Sequence, residues 1–329
     1  MMWSMIEGLP DQYRWAAQLD PPELTAASSI LVCGMGGSGI SGDFAAVVGA
    51  EAGIDVRVHK DYGLPAWAGA VRPLVIAASY SGNTVETLSA VEAARRLDLD
   101  VAVVSTGGEL AGIAEDNGYP SITIPPGLQP RAALGYLVGA ALQILSGAGA
   151  LPDPAQALLE SAPATESLLG SGEPGTGRDL ALSIAADLEG RVPIIWGSAG
   201  PSEVAAQRWA KQINENATTP AYFSTMPEID HNELDGWGSV PAEVNQGAGI
   251  VILRDRGETA EISRRFDLTV ELLRDRAPFV GEVWSSGESV LARAATAALM
   301  GDLVSVLLAE AAGVDPVQVD IITQLKNRL

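Results

Sequence analysis

Ser79-Tyr80-Ser81-Gly82-Asn83-Thr84 sets three aliphatic hydroxyls and a glycine between an apolar run, Leu74-Val75-Ile76-Ala77-Ala78, and a segment patterned as a helix from Thr84 to Leu97. The first N–H groups of a helix lack partners within it, and its dipole is positive at that end, so such a turn is an anion site. Uncharged hydroxyls add short donors, a combination that suits a phosphate monoester. Helix capping explains Thr84 but leaves Ser79 and Ser81 unexplained. A second turn, Gly34-Met35-Gly36-Gly37-Ser38-Gly39, follows the run Ser29-Ile30-Leu31-Val32-Cys33. Its Gly-x-Gly-x-x-Gly spacing also matches the dinucleotide fingerprint, with Asp61 as a candidate acidic residue after the second strand. On spacing alone, a dinucleotide loop and a plain tight turn both stay open.

The elements around these turns read as alternating strands and helices. Strands are expected at Ser29–Cys33, Asp55–His59, Leu74–Ala78, Val101–Val104 and Ser121–Ile124, with helices from Ile40 to Gly49 and from Thr84 to Leu97. Pro130 can open a long apolar helix, since proline is tolerated in a first turn. Strands apolar on both faces and separated by helices imply a parallel sheet covered on both sides. The second half repeats the plan: a strand at Val192–Trp196, a turn at Gly197–Pro201, a helix from Ser202 to Asn214, strands at Gly249–Leu253 and Val280–Trp284, and a long helix from Ser289 to Ala312. Gly34 and Gly197 occupy equivalent places, which implies two similar α/β domains. The boundaries expected are 1–152 for the first domain, 153–177 for a Pro- and Gly-rich linker, and 178–329 for the second.

Composition narrows the partners. The chain has 329 residues, about two domains' worth. Twenty Lys and Arg against 41 Asp and Glu give a net charge of -21, which argues against nucleic acid or an anionic membrane. Any bound anion must be held by a few local donors. One cysteine and two histidines make a disulfide framework or a zinc centre unexpected. Cys33 reads as inert core and His59 as structural. The N-terminus lacks the features of a signal peptide, and a reducing cytoplasm fits. Ala132 to Leu151 carries no charge, but its Ala and Gly content and Gln143 favour a buried helix over a membrane span.

Ser-x-Ser-Gly-x-Thr after a strand resembles the signature of sugar-isomerase (SIS) domains. Gly34-Met35-Gly36-Gly37-Ser38-Gly39-Ile40-Ser41-Gly42-Asp43-Phe44, Asn214-Glu215-Asn216, and His231-Asn232-Glu233 followed by Gly236-Trp237 narrow the likeness. Together they resemble the bifunctional phosphoglucose/phosphomannose isomerases over nearly the whole chain. The resemblance implies two doubly wound SIS-type α/β domains, each with a mainly parallel sheet flanked by helices. It implies an aldose–ketose isomerase of carbohydrate metabolism that passes glucose 6-phosphate or mannose 6-phosphate through an enediol to fructose 6-phosphate, with no cofactor and no metal.

It also implies roles for particular residues. Glu215 matches the base that moves the proton between C2 and C1. His231 matches the ring-opening histidine, reaching in from the other subunit of a homodimer; an imidazole can both give and take a proton at neutral pH. Arg131 matches an arginine that steadies the enediolate, and Lys326, one of three lysines with Lys60 and Lys211, matches a C-terminal lysine near the sugar oxygens. Gly36, Gly37 and Ser38 would contact the sugar, while Ser79, Ser81 and Thr84 would hold the phosphate. Ser38 is a poor hydrolase nucleophile, because no nucleophile elbow surrounds it. Two other readings stay in view. A non-catalytic phosphosugar-binding SIS regulator would need Ser79, Ser81 and Thr84 but not Glu215 or His231. A dinucleotide-dependent oxidoreductase would use the glycine turn alone.

Overall fold

A computed structural model describes residues 1–170, 177–238, 241 and 245–328. The chain divides into two compact units, Gly8–Pro163 and a second made of Met1–Glu7 with Ala164–Leu329.

The first unit holds a parallel sheet of β1 (Ser29–Cys33), β2 (Asp55–His59), β3 (Leu74–Ser79), β4 (Val101–Ser105) and β5 (Ser121–Thr123), in the order β2-β1-β3-β4-β5. β3 and β4 are buried along their whole length, as strands covered on both faces must be. Leu31, Cys33, Val75, Ala77, Val101 and Val103 pack on one face against Ala90, Val91 and Ala94 of the helix Val85–Arg96. Burial pushes the Cys33 thiol up to about 12, so it stays protonated at neutral pH. The helix Leu134–Gly147 is also buried, and Gln143 within it donates to the carbonyl of Ala16 at 3.0 Å.

The second unit repeats the arrangement with β6 (Val192–Ser198), β7 (Tyr222–Met226), β8 (Ala248–Arg254) and β9 (Val280–Trp284), parallel and in the order β7-β6-β8-β9. β1 and β6 each lie between the next two strands of their own unit. The chain therefore leaves the first strand to one side and returns on the other, and the carboxyl ends at that reversal form the crevice where α/β sheets bind ligands. Val290–Ala312 is the helix among the described residues that is long and apolar enough to cross a membrane, and it is almost wholly buried inside its unit.

Several expectations are corrected. The stretch 153–177, read as a linker with a helical part from Ala155 to Ser161, carries a longer helix, Ala155–Leu169, with Pro163 inside it, and the division between units falls within that helix. Residues 171–176 of that expected linker lie outside the described residues. Met1–Glu7, expected in the first domain, belongs to the second unit, where Trp3 donates to Glu310 and the Arg178 guanidinium stacks on the Trp3 ring at 4.4 Å. The first long helix starts at Gly36, not Ile40. Pro130 opens a 3-10 turn, Pro130–Ala132, and the α-helix begins only at Leu134. β7 and the helix Ala260–Leu273 were not expected from the pattern.

Candidate active site

In the first unit the two turns meet at the carboxyl ends of β1 and β3. Met35 precedes the helix Gly36–Glu51 and Thr84 the helix Val85–Arg96, and neither side chain caps the helix that follows it. Uncapped amides at adjacent helix starts give the crevice its donors. The turns are tied together, since the Tyr80 N–H donates to the Ser38 hydroxyl at 3.0 Å. Ser41 donates in turn to the Ser38 carbonyl at 2.6 Å.

Within the second turn, Ser79 and Thr84 hydroxyls lie 2.9 Å apart, and Ser79 Oγ accepts from Gly82 N at 3.1 Å. Thr84 therefore spends its hydroxyl on Ser79 instead of capping its own helix, contrary to the capping role read from the sequence. Ser79 and Ser38 are both buried and brace the turns from inside. Ser81 is exposed and Thr84 half-buried, so these two residues of the turn stay within reach of a ligand while Thr84 also pairs with Ser79. Gly82 has φ +71°, and a Cβ there would lie 1.8 Å from the Gly107 carbonyl oxygen. Only glycine fits that approach.

Arg131 joins the same crevice. It is buried, in the turn Pro130–Ala132, and its neighbours fix it against the glycine turn. A Cβ at Gly37 would come within 2.6 Å of the Pro130 carbonyl oxygen and 3.0 Å of Arg131 Cα. Gln12, buried, donates to Ala132 O at 2.8 Å and accepts from Gly135 N at 2.9 Å. Sequence reading missed Gln12, because a lone glutamine in an N-terminal helix carries no motif. At the end of β2, where a ribose-binding carboxylate would belong, stands Lys60, ion-paired with Asp43 and packed beside Gly39. Asp61 lies exposed beyond it and accepts only its neighbour Tyr62 N.

The second unit carries the other three candidates. Glu215 is half-buried in the last turn of the helix Pro201–Asn216. Its two neighbours clamp that turn. Asn214 donates to the carbonyls of Ala210 and Ala221 at 2.7 and 2.9 Å, and buried Asn216 donates to Ser305 at 2.9 Å. Glu215 is left on the wall of a cavity of about 560 Å³, with Thr218, Val314, Gln318 and Ile321 among its other lining residues. That lining includes the start of the C-terminal helix Asp320–Lys326, on whose last residue Lys326 is exposed.

His231 ends the 3-10 turn Glu228–His231 that follows β7. Its neighbours are pinned as well: Asp230 accepts from Arg265 at 2.8 Å, and Asn232 donates to Glu228 at 2.7 Å. His231 itself is exposed. Glu215 precedes the amino end of β7 and His231 follows its carboxyl end. Five residues of strand, on the order of 15 Å, therefore separate their levels. The structure brings Gly36, Gly37, Ser38, Ser79, Ser81, Thr84 and Arg131 together in one unit, and Glu215 with the C-terminal helix in the other. It does not bring His231 to Glu215 of the same chain.

Comparison with known proteins follows this division. The family described as the bacterial phospho-glucose isomerase C-terminal SIS domain matches residues 178–329. Over the whole chain, a bifunctional phosphoglucose/phosphomannose isomerase from Caldicellulosiruptor bescii is 36% identical, covering 100% of this chain and 98% of the relative. One from Aquifex aeolicus is 33% identical, again covering 100% of this chain and 98% of the relative. Among solved structures, tagatose-6-phosphate ketose/aldose isomerase from Escherichia coli superimposes with a TM-score of 0.73 at 16% identity, covering 96% of this chain and 94% of that one. That likeness shows the shared fold.

Proposed function

The chain belongs to the bifunctional phosphoglucose/phosphomannose isomerase family and is an aldose–ketose isomerase, and we propose that it interconverts glucose 6-phosphate and mannose 6-phosphate with fructose 6-phosphate at a site assembled from two copies of the chain. The observation that carries the two-copy reading is the separation of Glu215 and His231 across β7.

In this reading the phosphate sits on Ser81, Thr84 and the uncapped amides of the two helix starts, while Ser79 and Ser38 keep those turns in shape. Gly36 and Gly37 leave room for the sugar to approach the backbone. His231, from the second copy, takes the proton of the anomeric hydroxyl and returns one to the ring oxygen, which opens the ring. The Glu215 carboxylate removes the proton from C2 of the open aldose, and the electron pair moves to form the C1–C2 double bond as the carbonyl becomes an enediolate oxygen. Arg131 and Lys326 stabilise that developing charge. The proton on the C2 hydroxyl passes to O1, protonated Glu215 delivers its proton to C1, and the C2 carbonyl of the ketose forms. The enediol carries no stereochemistry at C2, so return of the proton to C2 can give either epimer. General acid–base transfer needs no redox group.

We place this reaction in central sugar metabolism of the cytoplasm, which a sequence with a single cysteine suits. The test is to supply fructose 6-phosphate alone and quantify glucose 6-phosphate and mannose 6-phosphate separately. Both products are expected. If neither forms while fructose 6-phosphate still raises the melting temperature, the regulator reading replaces this one.

A further inference from the structure

We propose that Tyr80 is a positioning residue for the reaction, holding the segment that carries Arg131 against the phosphate turn. The inference rests on Arg131 acting on the enediolate as proposed above.

Tyr80 lies between the two serines of the phosphate turn, with its ring buried. Its phenol accepts from Leu128 N at 2.9 Å and donates to Pro125 O at 3.2 Å. A phenol has one proton to give and lone pairs to accept, so this pair of bonds uses both capacities. Pro125 and Leu128 belong to the irregular stretch between β5 and the turn Pro130–Ala132. That stretch has no ladder or helix to hold it, and Gly127 within it takes φ +99°. Its start is fixed where Ile124 N meets Ser105 O at 2.9 Å, and its end where Gln12 holds Ala132 and Gly37 abuts Pro130. Tyr80 is the tie between those two ends.

The same residue also reaches the glycine turn and the residue that follows β4. Its N–H meets Ser38 of the glycine turn, and its carbonyl accepts from Thr106 N at 3.0 Å and Thr106 Oγ1 at 2.8 Å. Burial pushes the phenol up from its ordinary value, while the bond from Leu128 opposes that, so the neutral donor form persists at working pH. The backbone bonds of Tyr80 keep the phosphate turn in place whatever the side chain is. The hydroxyl governs the Arg131 segment alone. Removing it should therefore loosen transition-state stabilisation and spare ground-state binding of the phosphate.

The experiment compares Tyr80→Phe, Arg131→Ala and the double variant by kcat and KM for fructose 6-phosphate. Arg131→Ala is expected to lower kcat by about 10²–10³-fold, as loss of one oxyanion donor does. Tyr80→Phe is expected to lower kcat about tenfold, equivalent to ~1.4 kcal/mol, with KM within about twofold because the loss is confined to the transition state. In the Arg131→Ala background Tyr80→Phe should add almost nothing. A rise in KM with kcat unchanged, or losses that multiply in the double variant, would overturn the inference while leaving the isomerase reading intact. An unchanged kcat in Arg131→Ala would instead overturn the role of Arg131 and the inference with it. Should Tyr80→Phe not fold, Leu128→Pro removes the N–H that the phenol accepts and is read by the same split between kcat and KM.

Discussion

Glu215→Gln is expected to lower kcat by about 10²–10⁴-fold, the usual range for loss of a positioned general base. The amide has the shape of the carboxyl group but cannot carry the C2 proton to C1. Folding should be unaffected, because Glu215 is half-buried at a helix end whose geometry is set by its neighbours. Asn214 closes the turn onto Ala210 and Ala221, and Asn216 anchors it to Ser305. The melting temperature should stay close to the parent's, because the isosteric amide leaves the Asn214 and Asn216 clamps in place. KM should move little, because phosphate recognition rests on Ser81, Thr84 and the helix starts. Initial rates in both directions, with exchange of the C1 hydrogen of fructose 6-phosphate followed in deuterated water, check this. A variant retaining kcat within about threefold of the parent would be too active for a lost general base, and Glu215 would then not be that base.

Asp302→Ala is expected to destabilise the second unit by about 3–5 kcal/mol, because it strands a buried guanidinium. Asp302 lies in the helix Val290–Ala312 and accepts from Arg208 Nε at 3.0 Å and Nη2 at 2.7 Å, with Gln212 donating at 2.8 Å. Both partners of the ion pair are about 4% exposed. Burial pushes the Asp302 carboxyl up, and the charge and hydrogen bonds of Arg208, joined by Gln212, pull it back. Arg208 and Gln212 belong to the helix whose last turn presents Glu215. The pair thus joins the carrier of the base to the longest buried helix of its unit. A loss of roughly 10 °C in Tm is expected for a unit of this size. Asp302→Asn keeps an acceptor and should lose less. A Tm change below about 2 °C for Asp302→Ala would mean that the pair does not hold this helix, since it is far less than a stranded buried charge costs.

The central first-unit strands were legible because a parallel strand buried on both faces is a continuous apolar run, and the edge strand Asp55–His59 because apolar and polar residues alternate along it. Ser29–Cys33 and Asp55–His59 are found where the pattern puts them. β7 was not legible: it is an edge strand of mixed Tyr, Phe, Ser and Thr, and Tyr222 is 63% exposed. Gly36 to Gly39 looked too glycine-rich for a helix, yet the helix starts there, since close approach to Pro130 outweighs glycine's weak propensity. The helix expected to end at Ser161, before Pro163, continues through that proline to Leu169. The pairing of Met1–Glu7 with the second unit has no local signal at all.

At the site, motifs pointed to residues but not to how each is used. Nothing in Ser-x-Ser-Gly-x-Thr distinguishes Ser79, which braces the turn, from Ser81, which faces outward. Tyr80, the unassigned position of Ser-x-Ser-Gly-x-Thr, has no role legible from the motif, and only the positions of Pro125 and Leu128 reveal its hydroxyl's task. The separation of Glu215 and His231 depends on helix and strand direction, which spacing along the chain does not encode.

The central claim, that Glu215 and His231 serve one reaction from two copies, is tested most directly by mixing two dead variants. Glu215→Gln and His231→Ala would be prepared separately, unfolded, combined in equal amounts and refolded together. Random pairing makes half the dimers mixed, and each mixed dimer holds one site with both groups intact, so about one quarter of the parent activity should return. If both residues served the same chain, no mixed dimer would contain an intact site. Activity that stays at the level of the separate variants, in refolded dimers of normal Tm, would contradict the account.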